Sequence, residues 1–201
     1  MPNFHFSPSS LSKLEGVDPR LQFLAKEVLS ISPIDFAITS GLRTKEEQYK
    51  LYKEGKSKCD GINTLSKHQS KRDRGLPLTN TYIDDLADAI DICPCIYDDK
   101  LKKSILDYEA TEDLFFLIGL FYIKAKELAK EALSALKSNN IYDLSVRLNL
   151  NDRNIAEQFA EVERLSNLKI RLGAFWDCNS IKENRIKNNE FVDGYHIEIE
   201  S

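Results

Sequence analysis

The stretch 112–137 constrains the fold more than any other, because its helical pattern is both long and unusually apolar. Its first half is apolar on nearly every side of a helix, and its second half is apolar along one side only. A helix with this much apolar surface has to be covered by other elements, so the pattern predicts a central core helix that Thr111 caps. The apolar run 114–123 is too short to cross a bilayer, which favours burial inside the protein.

Shorter patterns on both sides of this helix predict an α+β fold, with a small antiparallel sheet packed against helices. The predicted strands are 36–39, 87–92, 168–172 and the C-terminal sequence Ile197-Glu198-Ile199-Glu200. Helix starts are predicted at Asp18 before Pro19, at the capping box formed by Thr44 and Glu47, and at Asn151-Asp152. Because apolar and charged residues alternate in the last strand, we expect it to be half-buried.

Length and composition predict one folded domain, since 201 residues with 42% hydrophobic and 30% charged side chains are ordinary for such a chain. The net charge of −4 gives no chain-wide footprint for nucleic acid or an anionic membrane. The N-terminus shows no basic segment followed by an apolar run, so no signal peptide is predicted. We expect a monomer without stable membrane insertion that is made and kept in the cytoplasm.

Three separate segments offer side chains that bind zinc: His68 in a polar loop, Asp91 on a strand, and His196 on the last strand. Two imidazoles and one carboxylate leave a fourth position for water, as a catalytic zinc site requires, whereas structural sites close with four protein ligands. Asp193 lies three residues before His196. A carboxylate there can take a proton from the bound water and deliver it to a leaving amine. The predicted cofactor is therefore Zn²⁺.

Arg43 lies between the end of a predicted strand and the helix that Thr44 caps. The free N–H groups of a helix start point outward in such a position, and an arginine beside them can hold a carboxylate or polarise a carbonyl. A surface arginine without such a role is the alternative interpretation.

In chain order, three motifs resemble the zinc motifs of the VanY-like D-Ala-D-Ala carboxypeptidase family, which also includes the VanX dipeptidases and the hedgehog domain. These motifs are Ser66-Lys67-His68, Asp88-Ala89-Ile90-Asp91 and Asp193-Gly194-Tyr195-His196. The resemblance is strongest to the phage endolysins that act as L-alanyl-D-glutamate endopeptidases. Two further stretches add to it, Ser40-Gly41-Leu42-Arg43-Thr44 and Arg171-Leu172-Gly173-Ala174-Phe175-Trp176.

The resemblance implies a role for each matching position. His68, Asp91 and His196 would bind zinc. Asp193 would be the catalytic acid and base, and Arg43 would bind substrate or stabilise the oxyanion.

For other positions near these motifs the resemblance is less specific. It implies that Ser66 supports the site and that Trp176 forms a wall of the peptide groove. Tyr195 either lines this groove or only packs. Glu198 is either an outward-facing strand residue or a hydrogen-bond partner of a ligand. Asp88 is expected to face solvent.

The chain departs from the family in two places. In the family the first histidine and the aspartate lie close together, whereas 22 residues separate His68 from Asp91 here. We interpret 69–86 as a loop insertion at the rim of the site and 138–167 as a helical insertion. Loop insertion costs little closure entropy, so the ligands can still converge.

The loop insertion carries two further expectations. Asp84 or Asp85 would replace Asp91 as a ligand only if the insertion were placed differently. Its basic residues predict a mobile, substrate-facing flap outside the core, which would attract the carboxylates of a stem peptide. These residues are Lys71, Arg72 and Arg74, next to Lys67. An inert surface insertion is the alternative interpretation.

The predicted function is a bacteriolytic peptidoglycan hydrolase, or endolysin, that cleaves the L-alanyl-D-glutamate bond of the stem peptide with a metal-activated water. A D,D- or L,D-carboxypeptidase of peptidoglycan is the alternative within enzymes. A non-catalytic cell-wall or protein-binding module on the same fold is the alternative from another class. Asp193 and Arg43 argue against that module, because binding alone would not require both.

Overall fold

The computed structural model describes residues 4–79, 81–173 and 196–200. Its helices in this part of the chain are α1 (Pro8–Leu14), α2 (Pro19–Ile31), α3 (Lys45–Lys53), α4 (Thr111–Lys137), α5 (Tyr142–Arg147) and α6 (Ile155–Ser166), with a short 3₁₀ helix over Tyr82–Asp85. Its strands are β1 (Phe36–Ser40), β2 (Ala89–Asp98), β3 (Lys103–Leu106), β4 (Ile170–Leu172) and β5 (His196–Ile199).

The strands form one antiparallel sheet in the order β1-β2-β5-β4, and β3 pairs with the far end of β2. This arrangement with the surrounding helices confirms the predicted α+β fold. The long strand β2 is its centre, because it pairs with β1 on one side and with β5 and then β3 on the other. None of the described helices is long and apolar enough to span a bilayer.

Two of the predicted helix caps are confirmed. The Asp18 side chain accepts a hydrogen bond from the Arg20 N–H at the start of α2, and Thr44 forms a capping box with Glu47 at α3. The other two are wrong. Thr111 is itself the first residue of α4, which has no side-chain cap, and α6 is capped by Asn154 instead of Asn151-Asp152.

The core lies between one face of the sheet and α2 and α4. The buried strand residues on this face include Phe36, Ile38, Ile90, Ile92 and Ile197. Phe36 meets Phe121 of α4 edge to face, with ring centroids 5.6 Å apart. This confirms α4 as a central core helix, although its first half is not covered on every side, because Phe115 and Phe116 are 41% and 47% exposed.

The last strand is not half-buried as its alternating sequence predicted. All four residues of β5 are buried, including His196 and Glu198, because β5 lies between β2 and β4 instead of at an edge. A buried glutamate needs hydrogen-bond partners. Glu198 has them in His196 and Arg171, as described below.

The two ends of the segment 69–86 lie close together in the structure. The Asp88 N–H donates to the Lys67 carbonyl over 2.9 Å, and Ser70 forms an antiparallel bridge with Ala87. Both contacts join the residues next to His68 to those before β2. The inserted loop therefore does not separate the segment that carries His68 from the strand that carries Asp91.

Ion pairs hold this segment in place. Arg74 pairs with Asp88, and both side chains are buried, so the expectation that Asp88 faces solvent is wrong. Arg72 pairs with Asp85 over 2.6 Å. These contacts also correct the expectation of a free basic flap, since two of its arginines are neutralised and the base of the loop is buried.

The helical stretch 138–167 is joined to both the core and this loop. Val162 and Leu165 of α6 are fully buried in the main core. The Tyr82 hydroxyl donates to the buried Glu161 of α6 over 2.9 Å, and Arg153 donates to the same hydroxyl over 3.0 Å. The helical stretch therefore supports the loop that precedes β2.

Candidate metal centre

The structure brings His68, Asp91 and His196 together from three distant parts of the chain. His68 Nε2 lies 3.1 Å from Asp91 Oδ1 and 3.1 Å from His196 Nδ1, and His196 Nδ1 lies 2.9 Å from the same carboxylate oxygen. The strand register explains half of this arrangement, because Asp91 on β2 is paired directly with His196 on β5. Side chains of directly paired residues project from the same face of a sheet.

The other nitrogen of each imidazole is engaged away from the cluster. His68 Nδ1 lies 2.7 Å from the Gly41 carbonyl, which can only accept, so this nitrogen carries the ring proton. His196 Nε2 lies 3.3 Å from the Glu198 carboxylate. These partners leave the two inward-facing nitrogens as lone-pair donors.

Three lone-pair atoms about 3 Å apart repel one another unless a cation lies among them. Tetrahedral zinc with bonds of about 2.0–2.1 Å would separate its ligand atoms by roughly 3.3 Å, close to the spacing here. Two neutral imidazoles and a carboxylate are also a donor set that zinc accepts. The residues present therefore fit a zinc ion.

The charge states of the cluster suit metal binding. Burial lowers the pKa of the His68 imidazole, although the Asp91 carboxylate opposes this shift. Burial would raise the pKa of Asp91, but in the metal-free cluster an imidazole proton that faces the carboxylate outweighs it and holds that pKa well below its usual range. A neutral imidazole and an ionised carboxylate are the forms that bind metals.

Gly41 can orient His68 only because it has no side chain. A Cβ atom at this position would lie 1.8 Å from the Lys13 carbonyl oxygen, which belongs to rigid helix backbone. The Arg43 N–H donates to the His68 carbonyl over 2.8 Å and joins the two loops. A larger residue at Gly41 would move the carbonyl that fixes the ring proton of His68.

Arg43 contacts the cluster directly. Its Nη2 donates to Asp91 Oδ2 over 2.5 Å, while Nε donates to Ser40 Oγ and Nη1 to Gln48 Oε1. A β-bulge near the end of β1 makes Ser40, and not Thr39, the partner of Asp91, which turns Ser40 toward the cluster. The guanidinium therefore holds the Asp91 oxygen that does not face the histidines.

Sequence reasoning did not assign roles to Ser40, Gly41 and Gln48 individually. Gln48 is fully buried, and its amide donates to Ser57 Oγ and the Cys59 carbonyl, each over 2.8 Å. Its position in a capped, polar helix gave no sign of this burial. Only the three-dimensional contact with Arg43 reveals it.

The remaining predicted residues fall into two groups. Ser66 is buried, and its hydroxyl accepts from the His68 N–H over 3.3 Å, which places it as a neighbour of the ligand loop. Asp84 is buried among Thr79 and Thr81 and takes no part in the cluster, so the alternative ligand assignment is wrong. Three predicted residues lie outside the described part of the chain, namely Trp176, Asp193 and Tyr195.

Glu198 is the hydrogen-bond partner of the candidate ligand His196, and not an outward-facing strand residue. Its Oε2 lies 3.3 Å from His196 Nε2, and its Oε1 lies 3.5 Å from the Arg171 guanidinium. Burial would raise the pKa of Glu198, but the hydrogen bond with His196 outweighs it and keeps the carboxyl ionised. An ionised partner on the far ring nitrogen orients the imidazole and raises its basicity toward a metal.

We expect Glu198→Ala to weaken zinc affinity by roughly 10- to 100-fold, because the His196 ring loses the partner that orients it. Competition with a chromophoric chelator would measure the change. Glu200→Ala removes an exposed carboxylate two residues away and serves as the control. Equal affinities in the two variants would show that Glu198 does not support the ligand.

Comparison with known proteins adds to this geometry. The sequence matches the family model described as phage L-alanyl-D-glutamate peptidase over residues 2–129. The matched range includes Arg43, His68 and Asp91 and ends before His196. No curated protein matches the chain. One similar solved structure is the Serratia marcescens L-Ala D-Glu endopeptidase ChiX, at 14% sequence identity and a TM-score of 0.45, with 98% of this chain and 91% of that chain covered.

Proposed function

This chain belongs to the phage L-alanyl-D-glutamate peptidase family, and from that premise we propose that it is a zinc-dependent peptidoglycan hydrolase that cleaves the L-alanyl-D-glutamate bond of the stem peptide. The proposed zinc dependence is supported by the convergence of His68, Asp91 and His196. The outer ring nitrogens of the two histidines are bonded elsewhere, to the Gly41 carbonyl and to Glu198. The protein would act as an endolysin after its release from the cytoplasm to the cell wall.

His68, Asp91 and His196 would hold the zinc ion. When bound, zinc polarises the scissile carbonyl and lowers the pKa of a water molecule. Arg43 fixes the free oxygen of Asp91, and its exposed fraction can also bind a substrate carboxylate or the developing oxyanion. We assign the general acid and base role to Asp193, and supporting positions in the peptide groove to Trp176 and Tyr195.

Mass spectrometry of fragments released from purified peptidoglycan tests the proposal. Cleavage of the L-alanyl-D-glutamate bond leaves alanine on the glycan and releases peptides that begin with glutamate. Loss of a terminal residue alone would identify a carboxypeptidase instead. Binding to peptidoglycan without any released fragment, in the presence of zinc, would identify a non-catalytic module.

We expect Arg43→Lys to lower kcat/KM by roughly 10²-fold, near the lower end of the cost of removing one oxyanion donor. Lysine keeps the charge but cannot reproduce the planar fork that contacts Ser40, Gln48 and Asp91 at once. Steady-state kinetics on a stem-peptide substrate would measure the loss. Arg72→Lys, at an exposed ion pair, is the matched control, and near-normal kinetics in Arg43→Lys would contradict the assigned role.

A further inference from the structure

A cavity of about 460 Å³ lies beside β1 on the side of α1, outside the cluster described above. Its volume is within the roughly 300–1,000 Å³ range of ligand pockets in proteins. Asp35, just before β1, and the strand residues from Phe36 to Thr39 line it. Lys13 also lines it, and the Lys13 carbonyl lies against Gly41, whose own carbonyl bonds His68. The end of the cavity at Lys13 and Thr39 therefore lies near the metal centre.

The far end of the cavity lies at Asp35 and the β2–β3 hairpin. Cys95, Ser104 and Leu106 line this end, and Cys95 is paired with Leu106. Thr39 lies four positions after Asp35 along extended chain, which is about 13 Å at 3.3 Å per residue. A bound peptide that starts at the metal centre would reach Asp35 within about three or four residues.

Two opposite charges line this cavity, Lys13 of α1 and the Asp35 carboxyl. Within the described ranges 4–79, 81–173 and 196–200, neither forms an ion pair shorter than 4 Å. The Lys13 amine donates to Ser9 Oγ over 3.1 Å. Burial raises the pKa of Asp35, against a hydrogen bond from the Phe36 backbone and the nearby Ser104 hydroxyl, as befits a partly buried carboxyl without a cation beside it.

We propose that this cavity is a substrate subsite that binds the diamino acid of the stem peptide, with Asp35 receiving its free side-chain amine and Lys13 a free carboxylate. This inference rests on the proposed function, which places the scissile bond at the metal centre. The diamino acid follows the glutamate in a stem peptide, so it lies two residues beyond the alanine. Its long side chain covers the remaining distance to Asp35.

The test compares two synthetic peptides, L-alanyl-D-glutamyl-L-lysine with a free side-chain amine and the same peptide with that amine acetylated. We expect the wild-type enzyme to show a KM about tenfold lower for the free amine, as one charge-assisted hydrogen bond can provide. Asp35→Asn should raise the KM for the free amine to that of the acetylated peptide, with little change in kcat. Asp152→Asn, at an exposed carboxylate on the turn before α6, should keep the wild-type preference.

Lys13→Gln tests the proposed contact between Lys13 and a free carboxylate. This variant should raise the KM for the peptide with a free C-terminal acid and leave the KM for the C-terminal amide unchanged. Lys26→Gln, on the exposed side of α2, should change neither KM value. If circular dichroism shows that Asp35→Asn does not fold, the subsite is tested by the wild-type comparison of free and acetylated peptides and by the Lys13→Gln variant.

Equal KM values for the free and acetylated peptides in the wild-type enzyme would overturn the subsite, as would a preference that survives in Asp35→Asn. Cleavage of either peptide between alanine and glutamate would still support the proposed function in those cases. Cleavage of neither peptide, together with no fragment released from intact peptidoglycan, would refute the function itself.

Discussion

Replacement of His196 by alanine is expected to abolish stoichiometric zinc binding and to reduce peptide hydrolysis by roughly 10³-fold or more. The metal supplies several kcal/mol of transition-state stabilisation, and each 1.4 kcal/mol corresponds to a factor of about ten. His196 contributes one of only three candidate ligand atoms among the described residues. The remaining pair, His68 and Asp91, would leave zinc half-coordinated by protein.

Thermal unfolding separates loss of the metal from loss of the fold. A ligand that binds only the folded state raises its stability, so added zinc should raise the Tm of the wild-type protein and chelation should lower it. The Tm of His196→Ala should not respond to zinc. His5→Ala is the matched control, because His5 is the third histidine of the chain and is exposed. Stoichiometric zinc in a His68→Ala, His196→Ala double variant would refute the site.

The three candidate ligands could be proposed from sequence because histidine is rare in the chain and the order of the motifs is informative. The chain has only three histidines, and two of them, His68 and His196, lie in motifs on either side of the Asp88-Ala89-Ile90-Asp91 motif. The register that pairs Asp91 with His196 could not be predicted, because 105 positions separate them and no local pattern encodes which strands are neighbours.

The wrong expectations about charged residues share one physical cause, which is that sequence patterns assign such residues to solvent. Glu198 alternates with isoleucines and therefore indicated a half-exposed strand, yet it is buried against His196 and Arg171. Asp88 and Arg74 are likewise buried because they neutralise each other. Burial of a charge depends on a partner that is close in space, and a single sequence does not identify that partner.

The family match and the structure contribute different parts of the site. The match over residues 2–129 contains two of the candidate ligands and Arg43. The third candidate, His196, lies on β5, beyond that range, and the pairing of β5 with β2 brings it within 2.9 Å of Asp91. The helical stretch 138–167 lies between these two parts of the chain, and α6 packs into the same core.

We expect Asp193→Ala to reduce turnover by about 10²–10⁴-fold, the usual contribution of general acid and base catalysis, while stoichiometric zinc is retained. The covalent chain limits how far Asp193 can lie from the candidate ligand His196, because three residues of extended chain span at most about 11 Å. A carboxylate at that distance can meet a water molecule at the metal centre without being a ligand itself.

Asp193→Asn and Glu190→Ala refine this test. The amide keeps the size of the side chain but cannot exchange a proton at neutral pH, so Asp193→Asn should be nearly as inactive as the alanine variant. Glu190→Ala removes a carboxylate three residues earlier in the chain and should change kcat little. The ascending limb of the pH–rate profile should also disappear in both Asp193 variants, since that limb reports ionisation of the catalytic base. More than about a tenth of wild-type activity in Asp193→Ala, with the ascending limb intact, would assign the proton transfer to another group.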